Sequence, residues 1–215
     1  MKSVLAIAGA VVLASALQAH AQQPRLPLPV AALDLRTFSV ALGQDPLTAG
    51  ALGLATTALP KRALGGVAAL NLYPIRGKTV ALGIGGEGIL ARGRGNTTGT
   101  SATGATTAIT VRQELLGVSG AVSLNFGHRE GWSYITAGIG TLAFGTYAGN
   151  TRPPDPPPMQ RTLNVGGGAK WFMTRHAAFE FDVRFYQTRP EVIRLGYASR
   201  QRASLLVLSA GVGLK

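Results

Sequence analysis

Polarity along much of this chain flips at every second residue. In Phe179 to Tyr186, Phe179, Phe181, Val183 and Phe185 alternate with Glu180, Asp182, Arg184 and Tyr186. A period of two marks a β-strand with unlike faces, because successive side chains point to opposite sides of the pleat. Just upstream, Leu163, Val165, Gly167, Ala169 and Trp171 alternate with Asn164, Gly166, Gly168 and Lys170, and a short turn at Thr174-Arg175-His176 joins the two runs. That hairpin sets Lys170 on the same face as Glu180 and Asp182. Leu206, Leu208, Ala210, Val212 and Leu214 follow the same rule against Ser209, Gly211 and Gly213. Further strands are expected at Leu64 to Tyr73, Thr79 to Ala91, Thr110 to Phe126 and Trp132 to Phe144. The weakest, strand one, falls somewhere in 34–57, which brings the expected count to eight.

Sidedness extends across these segments. Asn71, Glu87, Ser119, Ser123 and Asn125 form one set, while Val80, Leu82, Ile84, Leu116, Val118, Val122 and Leu124 form the other. The facing of Trp132 to Phe144 stays ambiguous from pattern alone. Connections are short at Ile75 to Lys78, Gly127 to Gly131 and Thr174 to His176, and long at Gly93 to Ala108, Asn150 to Gln160 and Thr188 to Arg202. This alternation of short turns and long loops is that of transmembrane barrels, with the short turns toward the periplasm.

Residues 1–21 have a separate logic. Lys2 supplies a positive start, Val4 to Leu17 an uncharged apolar stretch, and Ala19-His20-Ala21 a small-x-small cleavage site. The apolar stretch is shorter than the roughly 20 residues of a spanning helix, so a cleavable signal peptide is expected, with the mature domain at 22–215. The uncharged run Gly131 to Thr151 is long enough for a membrane helix, but its glycines, threonines and tyrosines favour strands.

Composition sharpens the picture. Charged residues are only 14% of the chain and glycines number 29, which suits a lipid-facing β surface better than a water-soluble globule. There is no cysteine, so neither a disulfide frame nor a thiolate metal site is available. In lipid every backbone amide must be paired internally, so a sheet has to close on itself. The expected fold is therefore all-β: an eight-stranded antiparallel transmembrane up-and-down β-barrel in the bacterial outer membrane. A barrel this small has an interior filled by side chains rather than an open pore.

The stretch GGGAKWFMTRHAAFEFDVRFY, Gly166 to Tyr186, with its alternating aromatics around a tight turn, resembles the small outer-membrane barrels of the OmpA-like and OmpX-like group. The resemblance spans most of the mature chain as pattern and implies a barrel-assembly machinery as partner. Such barrels commonly close on an aromatic residue, whereas here the sequence reads Gly213-Leu214-Lys215.

Candidate chemistry is sparse. Gly83, Gly85 and Gly88 spell G-x-G-x-x-G, but a dinucleotide site needs a following helix and Ile89 to Arg94 does not read as one, so no cofactor is expected. Asn96-Thr97-Thr98 reads as part of a Thr/Gly/Ser loop, and Pro153 to Pro158 as a stiff loop tip. A surface partner would find its site at the loops 93–108 and 150–160. His128 and His176 both fall in expected periplasmic turns, so no catalytic residues, no metal and no enzymatic activity are expected. Glu87, Lys170, Glu180, Asp182 and Arg184 are expected to form a polar network in the lumen.

The chain carries a net charge of +12. Its cations sit at segment ends rather than in one patch, so no nucleic-acid partner is expected. Lys61, Arg62, Arg92, Arg94, Arg112, Arg152, Arg161, Arg189, Arg194, Arg200 and Arg202 gather near the expected outer ends. Of these, Arg92, Arg94, Arg112, Arg161, Arg189, Arg200 and Arg202 are candidate contacts for lipopolysaccharide phosphates, because a guanidinium fork matches phosphate geometry. The alternative is snorkelling at the membrane boundary. The leading functional expectation is a structural or surface-interaction barrel contacting lipid and lipopolysaccharide. Its rivals are a barrel binding or transporting a small apolar ligand, and a soluble exported lipocalin-like carrier, which would need a polar exterior around an apolar lumen.

Overall fold

The computed structural model describes residues 29–100, 106–128, 131–149, 156–189 and 203–214. The expected signal peptide, 1–21, lies outside these, as do Arg152, Arg194, Arg200 and Arg202 and the tip of the proline loop. Eight antiparallel strands close into one barrel in strict sequence order: β1 (Ala31–Ala41), β2 (Arg62–Arg76), β3 (Val80–Thr100), β4 (Thr106–His128), β5 (Gly131–Ala148), β6 (Met159–Phe172), β7 (Ala177–Thr188) and β8 (Ser204–Leu214). Closure is made by β1 against β8, from Leu33 opposite Leu214 to Val40 opposite Val207. No helix among the described residues is long and apolar enough to cross a membrane.

Sidedness explains why the sheet closes. Leu35, Leu70, Ile84, Val122, Leu124, Ile135, Val165, Phe181 and Leu208 stand outward and exposed, while their strand neighbours turn in and are buried or half-buried. The outward band on β4, from Phe126 to Leu116, covers ten strand steps, about 25 Å along the axis of a tilted barrel. That height matches the apolar thickness such barrels present to lipid. A lipocalin-like carrier would show the reverse, so the apolar exterior removes that expectation.

Several local expectations need correction. Strand one begins at Ala31, three residues before the expected window, and the rest of that window holds a short helix, α1 (Pro46–Ala51), and a 3-10 turn at Thr56–Ala58. Asp45 caps α1 by accepting from the Leu47 amide at 3.1 Å, and Pro46 opens it, where a missing N–H costs nothing. The segment Gly93 to Ala108, expected as a loop, is mostly strand: β3 and β4 stay paired up to Thr100 opposite Thr106. Its threonines are good strand formers. Ile75 and Arg76, expected in a turn, still belong to β2, after a register shift between Leu72 and Ile75. Thr188 likewise ends β7 rather than starting a loop, Gly127, His128 and Gly131 belong to β4 and β5 rather than to a turn, and Met159 and Gln160 open β6 rather than ending a loop.

The glycine triplet read as an apparent nucleotide motif lies inside β3. A Cβ on Gly85 would fall 2.3 Å from Asn71 Oδ1, and one on Gly83 would fall 2.4 Å from Ser123 Oγ. Gly83 and Gly85 thus relieve crowding in a narrow barrel, Gly88 has open space beside it, and the three form no turn before a helix.

Candidate functional site

The lumen is stratified along its axis. At the end where the described chain enters and leaves, Ala32, Tyr73, Ala81, Trp132, Phe172 and Ala178 form an apolar floor. A charged layer lies above it. Above that, Phe38, Val40, Leu42, Ile89, Leu115, Leu142, Phe144, Leu205 and Val207 form a second apolar layer. The mouth is closed by the connection from β1 to β2, which buries Ala49, Ala58 and Leu59 against Val111. Its residues 58–60 lie so close to the inner wall that a Cβ on Gly95 would meet the Ala58 carbonyl oxygen at 2.6 Å.

The charged layer brings together all five residues expected of it. Arg184 Nη1 lies 2.7 Å from Glu87 Oε2, and Arg184 Nε 3.2 Å from Asp182 Oδ1. Lys170 Nζ lies 3.7 Å from Glu180 Oε1. The sequence reading missed the two residues that join these pairs. Arg36 reaches Glu87 at 3.2 Å, Glu180 at 3.3 Å and Asp182 at 3.1 Å, with only 2% of its side chain exposed. Asp34 accepts from Lys170 at 2.6 Å and from Asn71 Nδ2 at 2.6 Å. Both come from β1, the strand whose position was least certain.

Hydroxyl groups add further donors to these carboxylates. The Tyr186 hydroxyl donates to Glu87 Oε1 at 2.7 Å, and Ser119 Oγ donates to the same oxygen at 3.1 Å. The Tyr134 hydroxyl bridges Glu180 Oε1 at 2.7 Å and Asp182 Oδ2 at 2.6 Å. It also settles the facing of β5: Trp132, Tyr134 and Thr136 turn inward and Ser133, Ile135 and Ala137 outward.

Such a layer is not a pathway. The cavity beside Asn71, Glu87, Lys170 and Glu180 measures about 20 Å³, room for about one water. Burying seven charges is justified only when each is paired, since an unpaired ion in a low-dielectric interior costs several kcal/mol.

The outer rim is built differently. Lys61, Arg62, Arg92, Arg94, Arg161 and Arg189 are exposed there, and Arg112 is half-buried. Arg92 lies 3.4 Å from Glu114 across the strand pair. Arg161 and Arg189 are also cross-strand neighbours, because the Arg189 amide donates to the Arg161 carbonyl at 3.0 Å. Neither forms an ion pair with a described carboxylate. Both point outward, since Thr162 and Thr188 beside them are buried in the lumen. At the opposite end His176 is exposed in a turn, and His128 closes β4. Among the described residues no group of acids and histidines is arranged to hold a metal.

No protein-family model matches the chain, and no curated protein matches it in sequence. Solved structures do match in shape. Neisserial surface protein A superposes with a TM-score of 0.51 at 12% identity, over 86% of this chain and 96% of its own. Looser overlaps are with the N-terminal β-barrel domain of Pseudomonas aeruginosa OprF, at TM-score 0.39 and 12% identity over 85% and 96% of the two chains. The outer membrane protease OmpT from Escherichia coli overlaps at TM-score 0.41 and 9% identity over 91% and 99%. The chain thus has the fold of a small outer-membrane β-barrel, closed by eight strands.

Proposed function

We propose that this protein is a non-enzymatic structural or surface-interaction barrel of the bacterial outer membrane. In this reading an apolar wall stands in lipid and an arginine rim meets lipopolysaccharide phosphates. The observation that carries the reading is the inversion of polarity, with apolar side chains exposed outside and ion pairs and apolar layers filling the inside. A filled lumen argues against a conducting role. Among the described residues the excess of basic charge lies outside the lumen, since four of the six acidic residues but only three of the thirteen basic ones sit in the charged layer. Export by the signal peptide and insertion by the assembly machinery belong to the same reading.

The test pairs two measurements. The protein extracted from outer-membrane fractions should shift in apparent mass on an unboiled gel relative to the boiled sample. Reconstituted into planar bilayers, it should show no discrete conductance steps. A single unshifted band, or regular channel openings, would overturn the reading.

A further inference from the structure

A groove of about 950 Å³ runs across the outer wall from β3 to β7. It is external, because the inward side chains at this height, Thr162 and Thr188, are buried while outward Val118, Ile139 and Leu163 are exposed, Ile139 by 70%. Gly86 and Gly120, which face each other across β3 and β4, leave a floor without side chains. Arg161 and Arg189 stand at its upper edge with Thr141 and Gln187. The volume is that of an ordinary ligand site.

The rim shows what an arginine pair looks like when the protein supplies its counter-charge: Arg92 faces Glu114. Arg161 instead faces Arg189. Like charges directly opposite on neighbouring strands destabilise a sheet, and no described carboxylate relieves this pair. Arg94 and Arg112 also face each other, but neither lines this groove. Two guanidinium forks above an apolar trough therefore ask for an amphiphile with an anionic head.

We propose that Arg161, Arg189 and the groove beneath them form a binding site for a phosphorylated lipid of the outer leaflet. The phosphate bridges the two guanidinium groups, with Thr141 and Gln187 beside it. One acyl chain lies over Gly86 and Gly120 between Val118, Ile139 and Leu163. Bidentate phosphate contacts are charge-assisted and geometrically selective, so this site differs from a diffuse basic rim. The proposal rests on the membrane-barrel reading above and gives it a location.

The test uses the folded protein in detergent, titrated by native mass spectrometry with the bisphosphorylated acylated disaccharide that anchors lipopolysaccharide. Its dephosphorylated form and inorganic pyrophosphate serve as probes of chain and charge alone. The phosphorylated lipid should bind about tenfold or more tighter than either, as charge-assisted bonds of this kind predict. The pair Arg161→Ala and Arg189→Ala should remove that preference, whereas Arg76→Ala with Arg175→Ala, exposed at the opposite end of the barrel, should change it less than about twofold. Gly120→Leu should weaken binding with the rim intact. A Cβ there has its nearest neighbour at 3.9 Å, the Gly85 carbonyl oxygen, so the new side chain fills the groove and the barrel still folds.

The site is refuted if both arginine pairs weaken binding equally, if Gly120→Leu has no effect, or if pyrophosphate binds as well as the lipid. A heat-shifted wild-type protein that binds neither lipid refutes both this site and the lipopolysaccharide reading. An unshifted one refutes the membrane reading itself.

Discussion

Arginine does two opposite things in this molecule. Arg36 and Arg184 lie buried in the lumen, within salt-bridge distance of Glu87, Glu180 and Asp182. Arg161 and Arg189 stand exposed on the outer wall, facing each other with no described carboxylate in reach. The difference teaches how far surroundings decide the worth of a charge. Inside, each guanidinium is fixed by partners it cannot lose. At the rim, water and ions screen the charge, and the side chain remains available to something outside the protein.

The strongest way to break the comparison is to remove one buried partner. Arg36→Met keeps an apolar stem but removes the one cation shared by three buried carboxylates, and should destabilise the barrel by about 3–5 kcal/mol. Urea unfolding in detergent micelles, followed by loss of the heat-shifted band, measures this. An unchanged midpoint would mean the charged layer is solvated and not sealed. Smaller effects come from the wall that separates the two regions. Gly211→Ala puts a Cβ 2.0 Å from the Leu35 backbone oxygen, so it should cost about 1–3 kcal/mol, whereas Gly120→Ala, whose Cβ makes only an ordinary contact at 3.9 Å, should be nearly silent. Equal effects at the two sites would show that backbone crowding does not govern these glycines. The smallest effect belongs to the exposed pair. Arg92 has 67% of its side chain exposed, and Arg92→Ala should cost less than about 1 kcal/mol in the same unfolding series. A loss as large as that of Arg36→Met would erase the distinction drawn between lumen and rim.

The barrel was legible where lumen chemistry differs from lipid. In β7 the inward Glu180, Asp182 and Arg184 contrast with outward phenylalanines, so alternation alone gives strand and facing. In β1 the contrast fades halfway. Asp34 and Arg36 belong to the charged layer, but Phe38 and Val40 belong to the upper apolar layer and are as apolar as a lipid-facing side chain. A strand crossing from one layer into the next loses its period, which is why the first strand and its two network residues stayed hidden. β5 hid its facing for a related reason: Trp132 turns inward into the apolar floor while Ser133 turns outward. The plug at the mouth was equally invisible, because Ala49, Ala58 and Leu59 find their partner in Val111, far along the chain. Arg161 and Arg189 were legible as cations, but their adjacency follows from the register of β6 and β7.

The seam between β1 and β8 has a consequence for how the molecule comes into being. Leu33 waits for Leu214 to gain its second neighbour. Until the last strand has been synthesised and delivered, the ribbon has two bare margins, each a row of amides that oil will not accept. A copy truncated within the final strand would keep those margins bare, so a barrel without its last strand should not persist in a bilayer.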